Sequence, residues 1–489
     1  MPVQIFLQGK IAGIEDFLLA PSESDHADRV FAGRSHWISL LSEILPRALL
    51  AEHGLAKILL GSSGGGQFLL VLPEEVRASA EAFLIAASTE ISALSGGLVR
   101  LVWAITENLG DWSDVRKRLS EDMQRLTGAP GWSTADAGEP ASAESGATEY
   151  FAHLGWKLRD AQTAGWSPET PGRLLIGEGK HTWSIAGSAA SNAESVPFAR
   201  NAAPNEEGSE AASTADLAKR AQGITTWGVL RGDVDSFGTR LRRSQTIEEH
   251  IQLSVMYKQF FAGELEVLCS MPEFWRKVTV IHAGGDDFAI YGAWDALIAM
   301  AREMERLFHR FAELNLKELA GPEGKTITMA LALAPAEDAS VGAVFEEAGR
   351  RLEAAKSADK DCISLLGRTL EWKQFAEAAD LKTLLMRMVA DFGCSPQYLL
   401  DLCGIYRETQ ARVSKRQARK SGGERPWRYH RRIRRILSAA RPKAGPARGE
   451  YQKARTALIA ELIGRSAVTV KLRPAGRVAL EWARLAAQA

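Results

Sequence analysis

Two neighbouring carboxylates in the middle of the chain have the clearest potential for chemistry. Asp286 and Asp287 follow the glycine pair Gly284 and Gly285, and apolar, largely β-branched residues flank this group. A glycine pair suits the tight turn of a β-hairpin, because such turns need positive φ angles. A turn does not need two adjacent like charges, whereas a divalent cation binds carboxylate oxygens readily. The group alone is therefore compatible with a polar hairpin tip or with a metal site.

A second pair of carboxylates lies upstream, where the strand-like segment 225–233 ends. Asp233 and Asp235 are separated by one residue, so in an extended strand they lie on the same face. If this strand pairs with the hairpin, these carboxylates meet Asp286 and Asp287 at one end of a sheet. Such a group can hold two metal ions about 4 Å apart around a nucleoside triphosphate. The sequence therefore predicts a polymerase or cyclase palm domain.

The elements that must position these residues have the order strand, helix, strand, strand, helix, strand, which is that of the ferredoxin-like fold. The hydrophobic periodicity predicts this order twice. The first copy comprises a strand at 3–9, a helix at 34–53, two strands within 57–73, a helix at 75–93 and a strand at 97–105. The second comprises a strand at 225–233, a helix at 247–269, a hairpin at 277–292, a helix at 295–313 and a strand at 326–334.

The turns of the two predicted hairpins differ in their chemistry. The second copy has Gly-Gly-Asp-Asp, whereas the first has Ser62-Ser63-Gly64-Gly65-Gly66-Gln67. Repetition of a supersecondary unit supports both assignments. One copy has kept the acids and the other has not, so we expect one catalytic palm and one supporting palm.

The rest of the chain falls into a region between the palms and a region after them. The first region contains two stretches rich in Ala, Ser, Glu, Gly and Asn, at 134–148 and 186–214, which predict mobile loops. The second region is helical and basic, with fifteen Lys and Arg but four acidic residues between 401 and 450. We predict an α+β protein with a first palm at 1–106, a helical and irregular linker domain at 107–222, a catalytic palm at 223–370 and a helical domain at 371–489.

The composition excludes several classes of protein. With 60 basic and 60 acidic residues the chain has no net charge, so only the basic C-terminal run is suited to RNA or to an acidic partner. The four cysteines are far apart and form no Cys-x-x-Cys pair, which argues against a disulfide framework and suits a reducing cytoplasm. No apolar run approaches the roughly 18 residues of a membrane span, so we expect a cytoplasmic protein without membrane contact.

Two lysines, Lys356 and Lys360, follow the helix that is predicted at 341–355. Lysines at the C-terminus of a helix usually just complement its dipole. The functional alternative is that one of them binds a triphosphate.

Several motifs, in a fixed order, make the sequence resemble a known family. The second palm contains Leu-Arg-Gly-Asp-Val-Asp-Ser-Phe-Gly at 230–238, His-Ala-Gly-Gly-Asp-Asp at 282–287 and Gly-Ala-Trp-Asp at 292–295. The first contains Gly-Lys-Ile-Ala-Gly-Ile-Glu-Asp-Phe at 9–17, Gly-Arg-Ser at 33–35 and Ser-Ser-Gly-Gly at 62–65. These motifs are similar to those of the large subunit of type III CRISPR effector complexes, closest to the A subtype.

The resemblance implies a cyclic-oligoadenylate synthase that is activated when the complex pairs its guide with target RNA. Two ATP molecules would lie between the palms, and Asp233 with Asp286 or Asp287 would hold Mg²⁺ or Mn²⁺ in a two-metal site. Further implied nucleotide contacts are Asp235, Gly284, Gly285, Ser62, Ser63, Gly64, Gly65 and Lys356. The implied partners are the CRISPR RNA, the target RNA and the backbone, guide 5′-end-binding and small subunits, with the small subunits docked on the C-terminal helices.

Some features depart from the pattern of this family. Many members begin with an HD nuclease domain, but here the first palm begins close to Met1 and none of the nine histidines is followed by Asp. We therefore expect no DNase activity from this subunit. The middle region often carries a cysteine zinc site, but residues 107–222 contain no cysteine, so no zinc is expected there. Lys10 stands where the first palm commonly has Asp, which fits a non-catalytic copy, and His282 replaces a usual aromatic residue.

Two other functions stay open. A diguanylate cyclase shares the palm and the Gly-Gly-acid turn, but such cyclases usually have one palm per chain and no basic helical tail. The other is a scaffold subunit of the same complex whose palm has lost its activity. The intact acids Asp233, Asp235, Asp286 and Asp287 disfavour the scaffold.

Overall fold

A computed structural model describes residues 4–22, 27–128, 145–186, 195–208, 210–336, 338–416, 427–439, 448–463 and 473–488. The chain divides into two compact units. The first is formed by residues 1–220, 226–327 and 333–350, and the second by residues 221–225, 328–332 and 351–489. Both hairpins that the sequence predicts lie in the first unit.

The first palm has the predicted ferredoxin-like topology. Its elements are β1 (Gln4–Ala12), α1 (Ile14–Leu19), α2 (Ala27–Glu52), β2 (Leu60–Gly64), β3 (Gln67–Pro73), α3 (Arg77–Leu94) and β4 (Arg100–Glu107). The strands form an antiparallel sheet in the order β2–β3–β1–β4. Helix α2 begins at Ala27 rather than at residue 34, because Val30 and Phe31 extend its buried face.

The linker has a small sheet of its own. Its elements are α4 (Trp112–Thr127), α5 (Ser145–Lys157), β5 (Thr163–Trp166), β6 (Leu175–Ile176), β7 (His181–Ala186), β8 (Ser195–Pro197) and α6 (Thr214–Lys219). The strand order is β6–β5–β7–β8. Helix α5 lies directly against α2, since a Cβ at Gly155 would be 2.8 Å from the backbone nitrogen of Gly33.

Part of the loop prediction for this region is wrong. Residues 145–148 belong to α5, whose Phe151 and Leu154 are buried in the core of the first palm. The stretch predicted as a loop at 186–214 contains the strand β8. Residues 134–144, 187–194 and 209 lie outside the described residues, so the prediction of mobility there is untested.

The second palm repeats the order of elements of the first. Within the first unit its elements are β9 (Trp227–Val234), α7 (Phe237–Arg242), α8 (Ile247–Gln259), α9 (Leu265–Cys269), β10 (Val278–Gly284), β11 (Asp287–Ala293) and α10 (Trp294–Asn315). Strands β10, β11 and β9 are neighbours in this order and are antiparallel. The helix predicted at 247–269 is not continuous, because a π-helical turn at Phe260–Glu264 separates α8 from α9.

The C-terminal part of the chain is mainly helical, as predicted. Its elements are β12 (Ile327–Leu333), α11 (Val341–Ala358), β13 (Cys362–Leu365), β14 (Arg368–Glu371), α12 (Trp372–Ala390), α13 (Gln397–Arg416), α14 (Trp427–Ala439), α15 (Arg448–Ile463) and α16 (Pro474–Ala487). In the second unit, β12 pairs with β13 in parallel, and β13 pairs with β14 antiparallel. Helices α12 and α16 pack through the stacked rings of Phe375 and Trp482.

These elements confirm the α+β class. The two compact units do not follow the predicted boundaries at residues 223 and 371, so the division into four domains stays a prediction. Across the described ranges, the helices are too short or too polar to cross a membrane.

Candidate active site

The pairing of β9 with β11 brings two of the predicted carboxylates together. Asp233 is directly opposite Asp287 in this antiparallel ladder. The next residue also contacts the turn, because the Val234 N–H donates a backbone hydrogen bond to the Asp286 carbonyl at 2.9 Å. This hydrogen bond holds the turn against the end of β9. Directly opposite residues have their Cβ atoms about 5 Å apart, so the carboxylates of Asp233 and Asp287 face one another at the sheet edge.

The first palm has a strictly corresponding hairpin with different chemistry. Gln67 pairs with Gly64 and with Lys10, just as Asp287 pairs with Gly284 and with Asp233. Both hairpins also carry a register shift at the same place, between Leu60 and Ser62 in one and between Val280 and His282 in the other. The register therefore puts Lys10 and Gln67 in the positions of Asp233 and Asp287. An ammonium group donates but has no lone pair for a metal, so this edge of the first palm lacks the carboxylate pair of the second.

The glycine turns of the two palms meet tip to tip. Gly65 and Gly285 have φ angles of 59° and 63°, which glycine adopts without strain. A Cβ built on Gly65 would lie 3.9 Å from the Cα of Gly285, and one built on Gly285 would lie 3.7 Å from the Cα of Gly65. The turn of the first palm therefore faces the turn that precedes the acids of the second palm.

Two cavities flank the touching turns, and the adjacent acids line different ones. The Asp287 cavity has a volume of about 210 Å³ and is also lined by Gly284, Arg231, His282, Glu43 and Lys258. The Asp286 cavity has a volume of about 170 Å³ and is also lined by Gly285, Ser62, Ser63, Gln8 and Gln67. Gly64 and Gly65 line both cavities. The Gly-Gly-Asp-Asp turn thus presents one carboxylate to each side.

Basic groups surround the carboxylate in the Asp287 cavity. His282 Nε2 lies 3.2 Å from Asp287 Oδ2. The Arg231 guanidinium lies 4.1 Å from the ring centroid of Phe345, above the ring face. The Arg231 side chain passes close to Gly349, where only a glycine leaves enough room, since a Cβ there would lie 2.4 Å from Arg231 Nη1. The Arg231 guanidinium can donate hydrogen bonds to a phosphate group in this cavity.

A buried ion pair forms the wall of the same cavity. Lys258 Nζ lies 3.1 and 3.3 Å from the two carboxylate oxygens of Glu43. The Ser63 hydroxyl and the Arg47 guanidinium also donate to Glu43 Oε2, at 2.8 and 2.7 Å. Burial raises the pKa of Glu43, but the charges of Lys258 and Arg47 together with these hydrogen bonds outweigh it and lower the pKa, so Glu43 is ionised.

Sequence reasoning missed this ion pair, although the sequence carries a signal for half of it. Ser35, Ser39, Glu43 and Arg47 recur at intervals of four in helix α2, which makes a polar stripe along one face. The sequence gives no corresponding indication for Lys258, because its partner is in the other palm.

The side chains that line the Asp286 cavity are held in place by hydrogen bonds and by ring packing. Arg116 donates to the carbonyls of Leu241, Arg242 and Ser244 at 3.1, 2.6 and 3.1 Å, beside the C-terminal end of α7. His250 packs against Trp112, and burial lowers the pKa of His250 to about 4, so the ring is neutral. These contacts hold the floor of the cavity in place.

One predicted nucleotide contact, Asp235, does not line either cavity. Asp235 follows the end of β9 and is 3% exposed, and its carboxylate accepts a hydrogen bond from Thr326 Oγ1 at 2.7 Å. The strand ends at Val234, and Ser236 follows in the left-handed region at φ 59°, so the shared face of Asp233 and Asp235 stays a prediction. Lys356 lies in α11 within the second unit, so its contact with a triphosphate stays a prediction.

The donor set at the sheet edge fits Mg²⁺ or Mn²⁺ in the presence of a nucleotide. In the part of the chain that the structure describes, no three His, Cys, Asp or Glu side chains cluster closely enough to hold a metal by themselves. Mg²⁺ is commonly bound through one or two carboxylates plus the phosphate oxygens of a substrate. Asp233 and Asp287 supply two such carboxylates, and the predicted metal roles of Asp233, Asp286 and Asp287 stay predictions.

Two family models match the chain over the two palms. Residues 226–364 match the second palm domain of Cas10/Cmr2, and residues 3–94 match domain B of the Csm1 subunit. Both matched segments contain the hairpins described above.

Named relatives and solved structures agree with these matches. A protein from Mycobacterium tuberculosis is 32% identical over 125 residues, and one from Enterococcus italicus is 33% identical over 112 residues. Both are named CRISPR system single-strand-specific deoxyribonuclease Cas10/Csm1 of subtype III-A; each match covers 22% of this chain, and they cover 16% and 14% of the two relatives. A Csm1–Csm4 cassette with cA3 has a TM-score of 0.67 at 16% identity, covering 99% of this chain and 70% of that one. A cassette with AMPPNP has a TM-score of 0.62 at 18% identity, covering 83% and 62%.

The class of protein is that of the large subunit of type III CRISPR effector complexes. The features that define it here are the paired palms, the touching glycine turns and the carboxylates at one sheet edge. The two palms match the family models of Cas10/Cmr2 and Csm1, and the chain is similar to Cas10/Csm1 proteins of subtype III-A. The resemblance that the motifs indicate is thereby confirmed.

Proposed function

We propose that this chain is the nucleotidyltransferase subunit of a type III-A effector complex, and that it joins ATP into cyclic oligoadenylate when the guide pairs with target RNA. The observation that carries the proposal is the Asp233–Asp287 pair, which lies at the sheet edge of the second palm, beside the turn of the first palm, which lacks these acids. Solved relatives of the same fold contain cA3, cA4, ATP or AMPPNP, which is compatible with this chemistry.

In this proposal one cavity receives part of the donor nucleotide, and the other cavity receives part of the acceptor nucleotide. The Asp287 cavity contains the Arg231 guanidinium, which suits a phosphate group of the donor. The Ser62–Gly65 turn borders the Asp286 cavity and offers backbone amides and hydroxyl groups to the acceptor. Ligand sites usually have volumes of roughly 300–1,000 Å³, so two nucleotides would extend beyond these cavities or the palms would part to admit them.

The reaction itself needs only positioning and charge stabilisation. The 3′-hydroxyl oxygen of the acceptor attacks the α-phosphorus of the donor, the bond to pyrophosphate breaks, and the hydroxyl proton is released. Asp233 and Asp287, with Asp286 from the adjacent position, would hold Mg²⁺ or Mn²⁺, which when bound neutralises phosphate charge and lowers the pKa of the attacking hydroxyl. Repetition of the transfer and an intramolecular last step close the ring.

The predicted partners are part of the same proposal. Solved structures pair Csm1 with Csm4, so we expect a partner of that kind here. Helix α14 exposes Arg431, Arg432, Arg434 and Arg435, a surface suited to RNA phosphates or to an acidic subunit. Residues 417–426 and 440–447 of the predicted basic run lie outside the described residues.

The test is product analysis of the purified effector complex. It would be incubated with Mg²⁺ or Mn²⁺ and each labelled nucleoside triphosphate, with and without matching target RNA. We expect cyclic oligoadenylate only with ATP and target RNA, and none from a variant with Asp286→Ala and Asp287→Ala. Asp338→Ala, which removes an exposed acid outside both cavities, is the matched control.

Each other result points to a different function. Cyclic dinucleotide from GTP without RNA would identify a diguanylate cyclase. A complex that binds its target but yields no product from any nucleotide would identify a scaffold subunit.

A further inference from the structure

The ion pair between Glu43 and Lys258 connects the two palms at one point. Glu43 belongs to α2 of the first palm and Lys258 to α8 of the second. Their side chains are 5% and 9% exposed, and the closest oxygen and nitrogen are 3.1 Å apart. The pair is therefore a charged contact across the palm interface that is almost entirely removed from water.

A buried ion pair is a poor way to hold two domains together if stability alone is needed. Removing both charges from water costs about as much as their attraction returns, and apolar side chains of similar size are often as good or better. What such a pair adds is geometry, because the charges and hydrogen bonds are satisfied in one arrangement only. Here Ser63 and Arg47 complete that arrangement around the Glu43 carboxylate.

The pair touches the glycine turn of the first palm directly. A Cβ at Gly64 would lie 3.0 Å from Glu43 Oε1 and 3.2 Å from Lys258 Cδ. The same Cβ would be 3.9 Å from the backbone nitrogen of Gly285, in the turn that precedes the two acids. Ser63 is part of the turn and donates to Glu43 at 2.8 Å. The pair, the first turn and the second turn thus form one continuous line of contacts.

The local structure of the second palm also aims Lys258 at this place. The π-helical turn at Phe260–Glu264 begins two residues after Lys258 and interrupts the helix. Such turns shift the direction of side chains on the helix and occur frequently at functional sites. On the adjacent residue, the Tyr257 hydroxyl donates to the Gly324 carbonyl at 2.6 Å, which anchors this end of α8.

We propose that Glu43 and Lys258 are positioning residues, which set the distance between the Ser62–Gly65 turn and the acids of the second palm and so align the two nucleotides. The inference rests on the proposed function for its chemical consequence. Its structural part, that the pair fixes the spacing of the palms, can be measured without turnover.

The structural test is a distance measurement between the palms in the full-length chain. Spin labels at Ile85→Cys in α3 and Leu314→Cys in α10 would report the spacing, because both sites are exposed and the four native cysteines are buried. The double variant Glu43→Gln and Lys258→Met removes both charges of the pair, and the glutamine side-chain oxygen can still accept hydrogen bonds from Ser63 and Arg47. We expect a narrow distance distribution in the parent protein and a clearly broader one in this variant.

The functional test uses the activated complex with the same substitutions. A misplacement of about 1 Å can cost about a hundredfold in rate, so we expect the double variant to lower kcat at least about tenfold, with the KM for ATP changed less than about threefold. Lys258→Arg, which keeps the charge, should recover part of kcat. Glu323→Gln is the matched control, because it removes a carboxylate paired with Arg240 inside the second palm alone and should change neither distance nor kcat.

The outcomes separate the two proposals. An unchanged distance distribution together with an unchanged kcat would overturn the positioning role. A parent complex that makes no product, with a distribution that still broadens in the double variant, would overturn the proposed function and leave the spacing role standing. A loss of kcat that Glu323→Gln reproduces would show general destabilisation and would also overturn the inference.

Discussion

The carboxylate pair at the sheet edge should weaken the metal-free protein, and this can be tested with Asp287→Asn. Asp233 and Asp287 are like charges directly opposite each other in a β-ladder, an arrangement that is destabilising. Asparagine has nearly the same shape, and its amide oxygen can still accept a hydrogen bond from His282. The substitution therefore removes the repulsion and leaves the packing intact.

The size of the effect follows from the spacing of the strands. At about 5 Å the repulsion is about 3 kcal/mol for an effective dielectric constant of about 20 and about 1 kcal/mol in water. The Asp287 side chain is 39% exposed, so the lower value applies. We expect Asp287→Asn to raise the free energy of unfolding by about 1 kcal/mol, which raises the Tm by about 2 °C for a unit of this size.

Thermal unfolding with and without Mn²⁺ is the assay. A ligand at about 100 times its Kd stabilises the native state by about 2.7 kcal/mol, so Mn²⁺ added with a non-hydrolysable ATP analogue should raise the Tm of the wild type markedly, relative to the analogue alone, and that of Asp287→Asn much less. Asp338→Asn, at an exposed position, should behave as the wild type in both conditions. A lower Tm of metal-free Asp287→Asn, or an equal gain from Mn²⁺ in all three proteins, would refute the reasoning.

Three further predictions follow from the same geometry. Gly65→Val should separate the turns and strain a residue at φ 59° by roughly 1–2 kcal/mol, lowering both Tm and ATP turnover; an unchanged turnover would contradict the contact with Gly285. Burial lowers the pKa of His36 and of His250 to about 4, so below about pH 6.5 the unfolded chain takes up protons that the native state does not. Each histidine should therefore lower the free energy of unfolding by about 2 kcal/mol at pH 5, measured by urea unfolding. A free energy of unfolding that does not change with pH over this range would contradict the prediction. The pair of substitutions Lys10→Asp and Gln67→Asp should create a second carboxylate pair and add about one bound Mn²⁺ per chain, counted by electron paramagnetic resonance, and an unchanged count would argue against the equivalence of the two edges.

The repeated palm and its central acids could be predicted from the sequence because their signals are local. A glycine turn between two apolar strands specifies a hairpin by itself, and the alternation of side chains then puts Asp287 at the sheet edge. The strand register allows the two copies to be compared residue by residue. This register cannot be read from the sequence. It places Lys10 and Gln67 where the second palm has Asp233 and Asp287.

What the sequence did not predict depends on contacts between distant residues. Asp235 is buried and accepts a hydrogen bond from Thr326, which is 91 residues away, so nothing local to Asp235 indicates this contact. Glu43 and Lys258 are 215 residues apart, and nothing local to either indicates the other. The helix α5 begins in a stretch whose composition suggests a loop, because packing against α2 outweighs local propensity.

In the proposed reaction, the edge formed by Asp233 and Asp287 holds the metal that contacts the α-phosphate of the donor ATP. The most direct measurement is the transfer rate with each diastereomer of ATPαS, in the activated complex, with Mg²⁺ and then with Mn²⁺ or Cd²⁺. We predict that one diastereomer reacts slowly with Mg²⁺ and recovers with the sulfur-binding metal, and that this rescue is lost in Asp287→Asn. Equal rates for both diastereomers with every metal, or the same rescue in Asp287→Asn, would contradict the account.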